Sequence, residues 1–147
     1  MFCDDLPGFP KAGVAGHVGQ LTLGQISGTE IAVLQGRAHY YESGQADVMK
    51  TPVHTLVELG CEILILTNAA GSLMPEAKPG SVMLLTDHVN FTGVSPLFGE
   101  QGNARFVDMV DAYDPELRKL FQEIANQQGI TLYNCLLYTS PSPRDRG

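Results

Sequence analysis

Short apolar runs separated by polar segments predict that strands and helices alternate along this chain. Residues 63–66 (ILIL) are a continuous apolar run, which is typical of a strand buried on both faces of a parallel sheet. Residues 31–34 (IAVL) form another short apolar run. Residues 21–23 and 82–85 form two further apolar runs, and a Ser-Gly-Thr turn at 27–29 joins the first of these to 31–34. We therefore expect four strands within an α/β fold.

Capping residues predict a first helix after the second strand. Thr51 is the expected N-cap, Pro52 occupies the first turn and Gly60 ends the helix, because these residue types favour those positions. The residues expected to face the core are Val53, Leu56 and Val57.

A second helix has a clearer pattern. Asp114 is its predicted cap, Pro115 its first residue and Gly129 its end. One face carries the apolar residues Leu117, Leu120, Phe121, Ile124 and Ala125. The other face carries the charged residues Glu116, Arg118, Lys119 and Glu123. We expect the apolar face to pack on the core and the charged face to be solvated.

Two of the predicted strands end in segments that suit a small ligand. Asn68 follows residues 63–66, and the next residues, 69–71, are small, at the edge where open α/β sheets bind ligands. Gly36, Arg37 and His39 follow residues 31–34. Arginine offers a planar fork of donors for phosphate, and histidine adds another donor. A ligand-free turn, a solvated arginine and a structural histidine are the alternative interpretations.

Several separate motifs resemble those of purine nucleoside phosphorylases of the trimeric type. The similarity runs in register from about Leu6 to about Tyr133. The motifs are LPGFP (6–10), GHVGQL (16–21), QGRAHYYE (35–42), TNAAGSL (67–73), DHVNFTG (87–93) and ARFVDMVDAYD (104–114). Their number and their order make the resemblance specific.

The resemblance implies a three-layer α/β fold in which a central mixed β-sheet is flanked by helices, only partly represented in this chain. It also implies phosphorolytic cleavage of 6-oxopurine (deoxy)ribonucleosides to the free base and (deoxy)ribose 1-phosphate in purine salvage. Inorganic phosphate would be the co-substrate and the nucleophile, so that no metal and no other cofactor are needed. The full-length protein would be a homotrimer.

The same resemblance assigns expected roles to residues at the strand ends. Arg37 and His39 would hold the phosphate, the backbone of Ala69 would contact it, and His17 would lie near its entrance. Asn68 is interpreted as a turn-shaping residue beside the site.

Two aromatic residues are expected to contact the nucleoside. By resemblance, Tyr41 would hydrogen-bond the ribose, and Phe106 would reach from one subunit into the nucleoside pocket of its neighbour. A core phenylalanine is the alternative interpretation of Phe106. Asp87 and His88 lie in a segment that the family places near the subunit contact, and a purely structural role is equally open for both.

Composition and charge exclude several classes of partner. The 147 residues carry a formal net charge of −7, whereas nonspecific nucleic-acid and anionic-membrane binding require a basic surface. The chain has no apolar run long enough to span a bilayer. Its three cysteines, Cys3, Cys61 and Cys135, are widely spaced and form no CxxC pair, which argues against a disulfide framework or a zinc site. With no signal-peptide pattern at the N-terminus, we expect a cytoplasmic protein.

Both ends of the chain depart from the family pattern. Family members are nearly twice as long, and the segments that bring a phosphate-binding serine, a glutamate and an asparagine for the base, and a histidine for the ribose have no counterpart here. Residues 135–147 read CLLYTSPSPRDRG and resemble translated adapter sequence. We therefore expect a partial phosphorylase domain at 1–134, a non-native or disordered tail at 135–147, and no catalytic activity in this chain.

Two other functions stay open. Methylthioadenosine phosphorylase is a related enzyme, but the QGRAHYYE and TNAAGSL stretches match the nucleoside phosphorylase pattern better. A noncatalytic remnant that binds phosphate or nucleoside belongs to a different functional class, and activity of the chain would separate it from an enzyme.

Overall fold

The computed structural model describes residues 1–11 and 19–139. The chain divides into two compact units. Unit 1 comprises Met1–Leu66 and Val94–Phe98, and unit 2 comprises Thr67–Gly93 and Gly99–Gly147. Both units contain helices and strands, and the predicted α/β class is confirmed.

Unit 1 contains an antiparallel hairpin. Strand β1 (Gln20–Ile26) pairs with β2 (Thr29–Gln35), and Ile26 lies opposite Thr29. The two turn residues between the strands, Ser27 and Gly28, both have positive φ, at 51° and 84°. A two-residue hairpin turn with two positive φ values matches the right-handed twist of its strands. The predicted pair of strands and the turn between them are confirmed.

The described residues of unit 1 also form two α-helices, α1 (Tyr40–Ser43) and α2 (Lys50–Glu58), and a short 3-10 helix at Cys3–Asp5. The N-cap of α2 is Met49, so the prediction of Thr51 as N-cap is wrong by two residues. Pro52 is tolerated at the third helical position because the first amide groups of a helix have no intrahelical partner.

The predicted end of α2 at Gly60 is confirmed. The Gly60 N–H donates to the Val57 carbonyl at 2.9 Å, and the Cys61 N–H donates to the Leu56 carbonyl at 3.0 Å. This pair of bonds is a Schellman motif, which requires a left-handed residue after the helix. Gly60 supplies it, with φ at 87°.

Unit 2 is built on a parallel strand pair. Strand β3 (Val82–Asn90) pairs with β4 (Leu132–Thr139), and the register shifts between Leu85 and Asp87. Helix α3 (Pro115–Gln127) lies between the two strands in the sequence, as parallel pairing requires a long connection. Asp114 accepts a hydrogen bond from the Leu117 N–H at 2.9 Å, which confirms the predicted cap.

Strand β4 was not predicted from the sequence. It includes residues 135–139, which were assigned to the tail, and residues 140–147 lie outside the described part of the chain. The signal for a strand was the enrichment in tyrosine, threonine and leucine across 132–139. The division of the chain after residue 134 stays a prediction.

The prediction of a buried strand at residues 63–66 is wrong. The segment has no regular secondary structure, and its four side chains are 55% to 72% exposed. A strand exists only where a neighbour completes its backbone ladder, and no described strand pairs with these residues. The apolar run therefore joins neither of the two described strand pairs.

The buried core is small in both units. Among the described residues, the buried apolar ones are Cys3, Leu21, Pro52, Ala77 and Ala125. The predicted core faces of the helices are largely uncovered. On α2, Val53 and Val57 are exposed, and on α3 the side chains of Leu120, Phe121 and Ile124 are 41% to 50% exposed. Amphipathic spacing selects a face of a helix, but a second element must be present to bury it.

Candidate functional site

A pocket lies where β2 ends in unit 1. Gly36 has φ at 98°, a left-handed conformation that lets the chain turn away from the strand. Arg37 follows and is half-buried. The pocket is open to solvent, has an empty volume of about 250 Å³ and is lined by Cys3, Phe9, Pro10, Gly19, Leu34, Gly36, Arg37, Ala38, Met49 and Pro52. The only charged side chain of this lining belongs to Arg37, in an otherwise mostly apolar wall.

Cys3 brings a thiol to the same pocket. Burial raises the pKa of this thiol, the nearby charge of Asp4 raises it further, and the N-terminal ammonium group opposes the shift. A thiol with a raised pKa is a poor nucleophile at neutral pH. Cys3 therefore contributes volume to the pocket wall, a role that its position far from Arg37 in the sequence did not indicate.

His39 lies at the N-cap of α1, with an extended backbone at φ −115° and ψ 148°. Its N–H donates to a side-chain oxygen of Glu42 at 2.7 Å, and its carbonyl accepts from the Glu42 N–H at 3.0 Å. The ring of His39 stacks on that of Tyr41, with centroids 5.0 Å apart and planes 10° from parallel. The structure thus brings two of the predicted site residues into direct contact.

Tyr41 also presents its side chain to solvent, and it is 52% exposed. An exposed phenol beside a cationic pocket is available to hydrogen-bond a polar ligand. The residues from Gly36 to Tyr41 therefore gather, within unit 1, one guanidinium group, one imidazole and one phenol.

The other segment that was predicted to suit a ligand belongs to unit 2. Asn68 and Ala69 are exposed and lie in an irregular segment. The Asn68 side-chain amide donates to the Ala69 carbonyl at 3.4 Å. A local side-chain to backbone bond of this kind is compatible with the turn-shaping interpretation of Asn68.

Phe106 follows a short 3-10 helix, Asn103–Arg105, in unit 2. Its side chain is 73% exposed, and the Arg105 guanidinium lies 4.9 Å from the centre of its ring. Within this chain, Phe106 is therefore not part of a core. His17, the remaining predicted site residue, lies outside the described residues.

Asp87, His88 and Tyr113 form a second cluster of polar residues in unit 2. The rings of His88 and Tyr113 meet edge to face, with centroids 5.8 Å apart. Burial raises the pKa of the Tyr113 hydroxyl, and the charge of Asp87 raises it further. The Nδ1 atom of His88 is buried and has no hydrogen-bond partner among residues 1–11 and 19–139. These contacts support packing roles.

The described residues contain neither a candidate metal site nor a candidate membrane-spanning helix. Across residues 1–11 and 19–139, no group of three or more histidine, cysteine, aspartate or glutamate side chains is arranged to hold a metal ion. In the same ranges, no helix has both the length and the apolar character needed to cross a membrane.

Comparison with known families identifies the class of the protein. The family model described as "Phosphorylase superfamily" matches residues 2–146, and the chain belongs to this superfamily. The mixed α/β fold of this family, represented in part, is thus the fold of the chain.

Sequence relatives narrow the similarity to one kind of enzyme. Purine nucleoside phosphorylase 1 of Geobacillus stearothermophilus is 41% identical over 142 residues, covering 95% of this chain and 52% of the relative. Purine nucleoside phosphorylase 1 of Bacillus subtilis (strain 168) is 42% identical over 132 residues, covering 88% of this chain and 49% of the relative. The chain thus spans about half the length of these relatives.

Solved structures of the same name have the same fold. A purine nucleoside phosphorylase of Schistosoma mansoni, in complex with acetate, superposes with a TM-score of 0.88 and 32% identity, covering 97% of this chain and 56% of that chain. Isoform 2 from the same organism, in complex with cytosine and ribose-1-phosphate, superposes with a TM-score of 0.85 and covers 99% of this chain and 55% of that one.

Proposed function

We propose that this chain is part of a purine nucleoside phosphorylase that cleaves 6-oxopurine (deoxy)ribonucleosides to the free base and (deoxy)ribose 1-phosphate in purine salvage. The observation that carries the proposal is the arrangement at the end of β2, where Arg37 lines a pocket and His39 stacks on Tyr41. The 41% identity with the Geobacillus stearothermophilus enzyme gives this arrangement its functional context.

The reaction needs a bound anion and a stabilised leaving group. A phosphate oxygen forms a bond to C1′ of the sugar, the glycosidic C1′–N bond breaks, and its electron pair leaves with the purine, which takes up a proton. The transition state resembles the oxocarbenium ion of glycoside cleavage. Phosphate itself is the nucleophile, and no metal or other cofactor enters the proposed mechanism.

Arg37 and His39 are the proposed phosphate ligands within unit 1. The guanidinium group suits two phosphate oxygens at once, and the imidazole supplies a further donor. The backbone of Ala69 and the side chain of His17 complete the proposed phosphate site. The charge-assisted bonds from Arg37 would hold the dianion and orient it toward the sugar.

Tyr41 and Phe106 are the proposed nucleoside contacts. The exposed hydroxyl of Tyr41 is free of the ring stack and can bond to the ribose. Phe106 is exposed in the chain alone, as expected of an aromatic residue that enters a neighbouring subunit. The assembly proposed for the full-length protein is a homotrimer in the cytoplasm, without nucleic acid or membrane as a partner.

The chain itself should lack phosphorolytic activity. Stabilisation of developing negative charge is usually the largest catalytic contribution, and by resemblance the residues that would read the purine base have no counterpart in this chain. Incubation of the purified chain with inosine and phosphate, followed by measurement of hypoxanthine, should give no product above the buffer background. Robust turnover that Arg37→Ala abolishes would contradict this prediction.

A longer protein tests the function itself. A chimera in which the unmatched part of the Geobacillus stearothermophilus relative is added to this chain should convert inosine to hypoxanthine in the presence of phosphate. A folded chimera that binds phosphate but does not turn over inosine would instead support a noncatalytic binding protein.

A further inference from the structure

The stack between His39 and Tyr41 is an unusual contact for residues two positions apart. On a helix, residues i and i+2 do not face each other. The contact forms here because His39 precedes α1 and has an extended backbone, whereas Tyr41 is already in the helix. The two rings lie 5.0 Å apart and within 10° of parallel, so that Tyr41 covers one face of the imidazole.

The backbone of His39 is held on both sides of this stack. Glu42 accepts from the His39 N–H through its carboxylate at 2.7 Å and donates to the His39 carbonyl through its own N–H at 3.0 Å. Gly44 closes the same turn, because its N–H donates to the Tyr40 carbonyl at 2.7 Å. With the backbone fixed, rotation of the His39 side chain decides where its imidazole points, and the stack with Tyr41 is one contact that restricts this rotation.

We propose that Tyr41 is a positioning residue that holds the His39 imidazole in its phosphate-binding orientation. This inference rests on the proposed function of His39 as a phosphate ligand. Arg37 lies two residues earlier and lines the pocket, whereas His39 is not part of the lining. Under the proposed function, the fixed imidazole would bind the same anion as the guanidinium. Tyr41 would thus act on the phosphate through its ring and on the nucleoside through its hydroxyl.

Three substitutions distinguish the contribution of the Tyr41 ring from that of its hydroxyl and from general effects on α1. Tyr41→Phe retains the ring and removes the hydroxyl. Tyr41→Leu removes the stack and retains a helix-forming side chain. Tyr40→Leu is the matched control, because Tyr40 is the exposed neighbouring tyrosine of α1 and takes part in none of the ring contacts found within the described residues.

Chemical labelling of histidine measures the orientation of His39 without any requirement for catalysis. The purified chain, at low micromolar concentration, is treated with diethylpyrocarbonate, and the labelling rate at each histidine is read by peptide mass spectrometry. His54, an exposed histidine on α2, is the internal reference. Each variant is measured with and without inorganic phosphate.

Removal of the stack should expose His39 to the reagent. Without phosphate, Tyr41→Leu should label His39 about two- to tenfold faster than the unmodified chain, the range that corresponds to the contribution of one aromatic pair. Tyr41→Phe and Tyr40→Leu should leave the His39 rate unchanged. Equal His39 rates in the unmodified chain and in Tyr41→Leu would overturn the inference.

Protection of His39 by phosphate tests whether the stack affects phosphate binding. In the unmodified chain and in Tyr41→Phe, phosphate should slow the labelling of His39, and in Tyr41→Leu this protection should be lost. Equal protection in all variants would overturn the positioning role. Absence of protection in the unmodified chain would contradict the proposed phosphate site, whereas the rates without phosphate would still report whether Tyr41 restrains His39.

Discussion

At the scale of single residues, the segment that follows β2 carries most of the candidate site. Gly36 turns the chain, Arg37 lines the pocket, and His39 begins α1 with its ring on Tyr41. Each residue contributes a specific property: Gly36 adopts a positive φ, Arg37 supplies a planar cation, and Tyr41 supplies an aromatic face. The phosphate role that we propose for this segment requires Arg37 and His39 together.

Arg37→Ala in the chimera should weaken the binding of phosphate much more than the binding of nucleoside. Loss of charge-assisted hydrogen bonds corresponds to a KM for phosphate raised about ten- to one-hundredfold, whereas the KM for inosine should change little. Steady-state kinetics with phosphate and inosine varied separately make the measurement. Lys119→Ala, which removes an exposed cation on α3, is the control and should leave both values unchanged. An unchanged phosphate dependence in Arg37→Ala would show that its charge is merely solvated.

Tyr113 should make the stability of unit 2 depend on pH at alkaline values. Burial, and then the charge of Asp87, raise the pKa of this hydroxyl in the folded chain above its ordinary value of 10.0. The unfolded chain therefore loses this proton first as the pH rises, and the contribution of Tyr113 to stability, complete below the ordinary value, falls above it. Tyr113→Phe should reduce the decrease in the free energy of unfolding between neutral pH and the alkaline range.

Urea unfolding curves of the chimera, with and without Tyr113→Phe, test this dependence at a series of pH values. Tyr138→Phe is the control, since Tyr138 stacks on Phe91 with centroids 6.2 Å apart and phenylalanine preserves the stack. The same alkaline decrease in Tyr113→Phe and in the unsubstituted chimera would contradict the assignment.

At the scale of secondary-structure elements, the helix ends follow local rules. Helix α3 begins at an aspartate cap and ends in a Schellman motif, in which the Gly129 N–H donates to the Asn126 carbonyl at 3.2 Å and the Ile130 N–H to the Ala125 carbonyl at 2.8 Å. These interactions involve only residues close in sequence. They were therefore predictable, and α3 was found where expected.

Asp114→Ala should destabilise α3 through the loss of its cap. The Asp114 carboxylate accepts the Leu117 N–H at 2.9 Å, and removal of such a cap costs about 1 kcal/mol. Hydrogen exchange should increase at the amides of the first turn of α3. Glu123→Ala, on the exposed part of the same helix, should leave their protection unchanged. Equal exchange in both variants would mean that the cap contributes nothing measurable.

Gly129→Ala tests the other end of α3. Gly129 has φ at 67°, and a Cβ atom built there meets no atom within 4 Å. The penalty is therefore one of backbone conformation alone, about 1 to 2 kcal/mol. Gly24→Ala is a matched control, since a Cβ atom at Gly24 also meets nothing within 4 Å and its φ is not in the positive range. Comparable losses in the free energy of unfolding for both variants would refute the conformational explanation.

At the scale of the whole molecule, the dominant feature is uncovered apolar surface. The chain exposes 11369 Å², whereas a folded monomer of its mass, 15.9 kDa, exposes roughly 7,400 Å². The difference is about 4,000 Å² of surface that a folded monomer of this mass would bury. Residues 63–66 and the apolar side of α3 are part of this surface.

The chain alone should associate nonspecifically. Apolar patches and unpaired strand edges promote aggregation, so size-exclusion chromatography with light scattering should give broad, concentration-dependent masses. The chimera with the unmatched part of the Geobacillus stearothermophilus relative should give one discrete oligomer, proposed to be a trimer. A monodisperse monomer of the 147-residue chain that unfolds cooperatively would show that these residues complete their own core.

The sequence by itself determined the features that depend on neighbouring residues and on residue type. It predicted the hairpin turn, strand β3, helix α3 with both its ends, and the family membership. These features were predictable because turns, caps and motifs are local. The association of Arg37, His39 and Tyr41 with one short segment was legible for the same reason, although the stacked geometry of the two rings was not.

Only the tertiary structure decided which of the apolar segments are covered. Residues 63–66 have the composition of a buried strand and yet remain exposed, while residues 132–139 form β4 against β3. The face of α3 predicted for the core is partly solvated for the same reason. Burial and strand pairing require a partner that is distant in sequence, and hydrophobic pattern specifies the need for such a partner without supplying it.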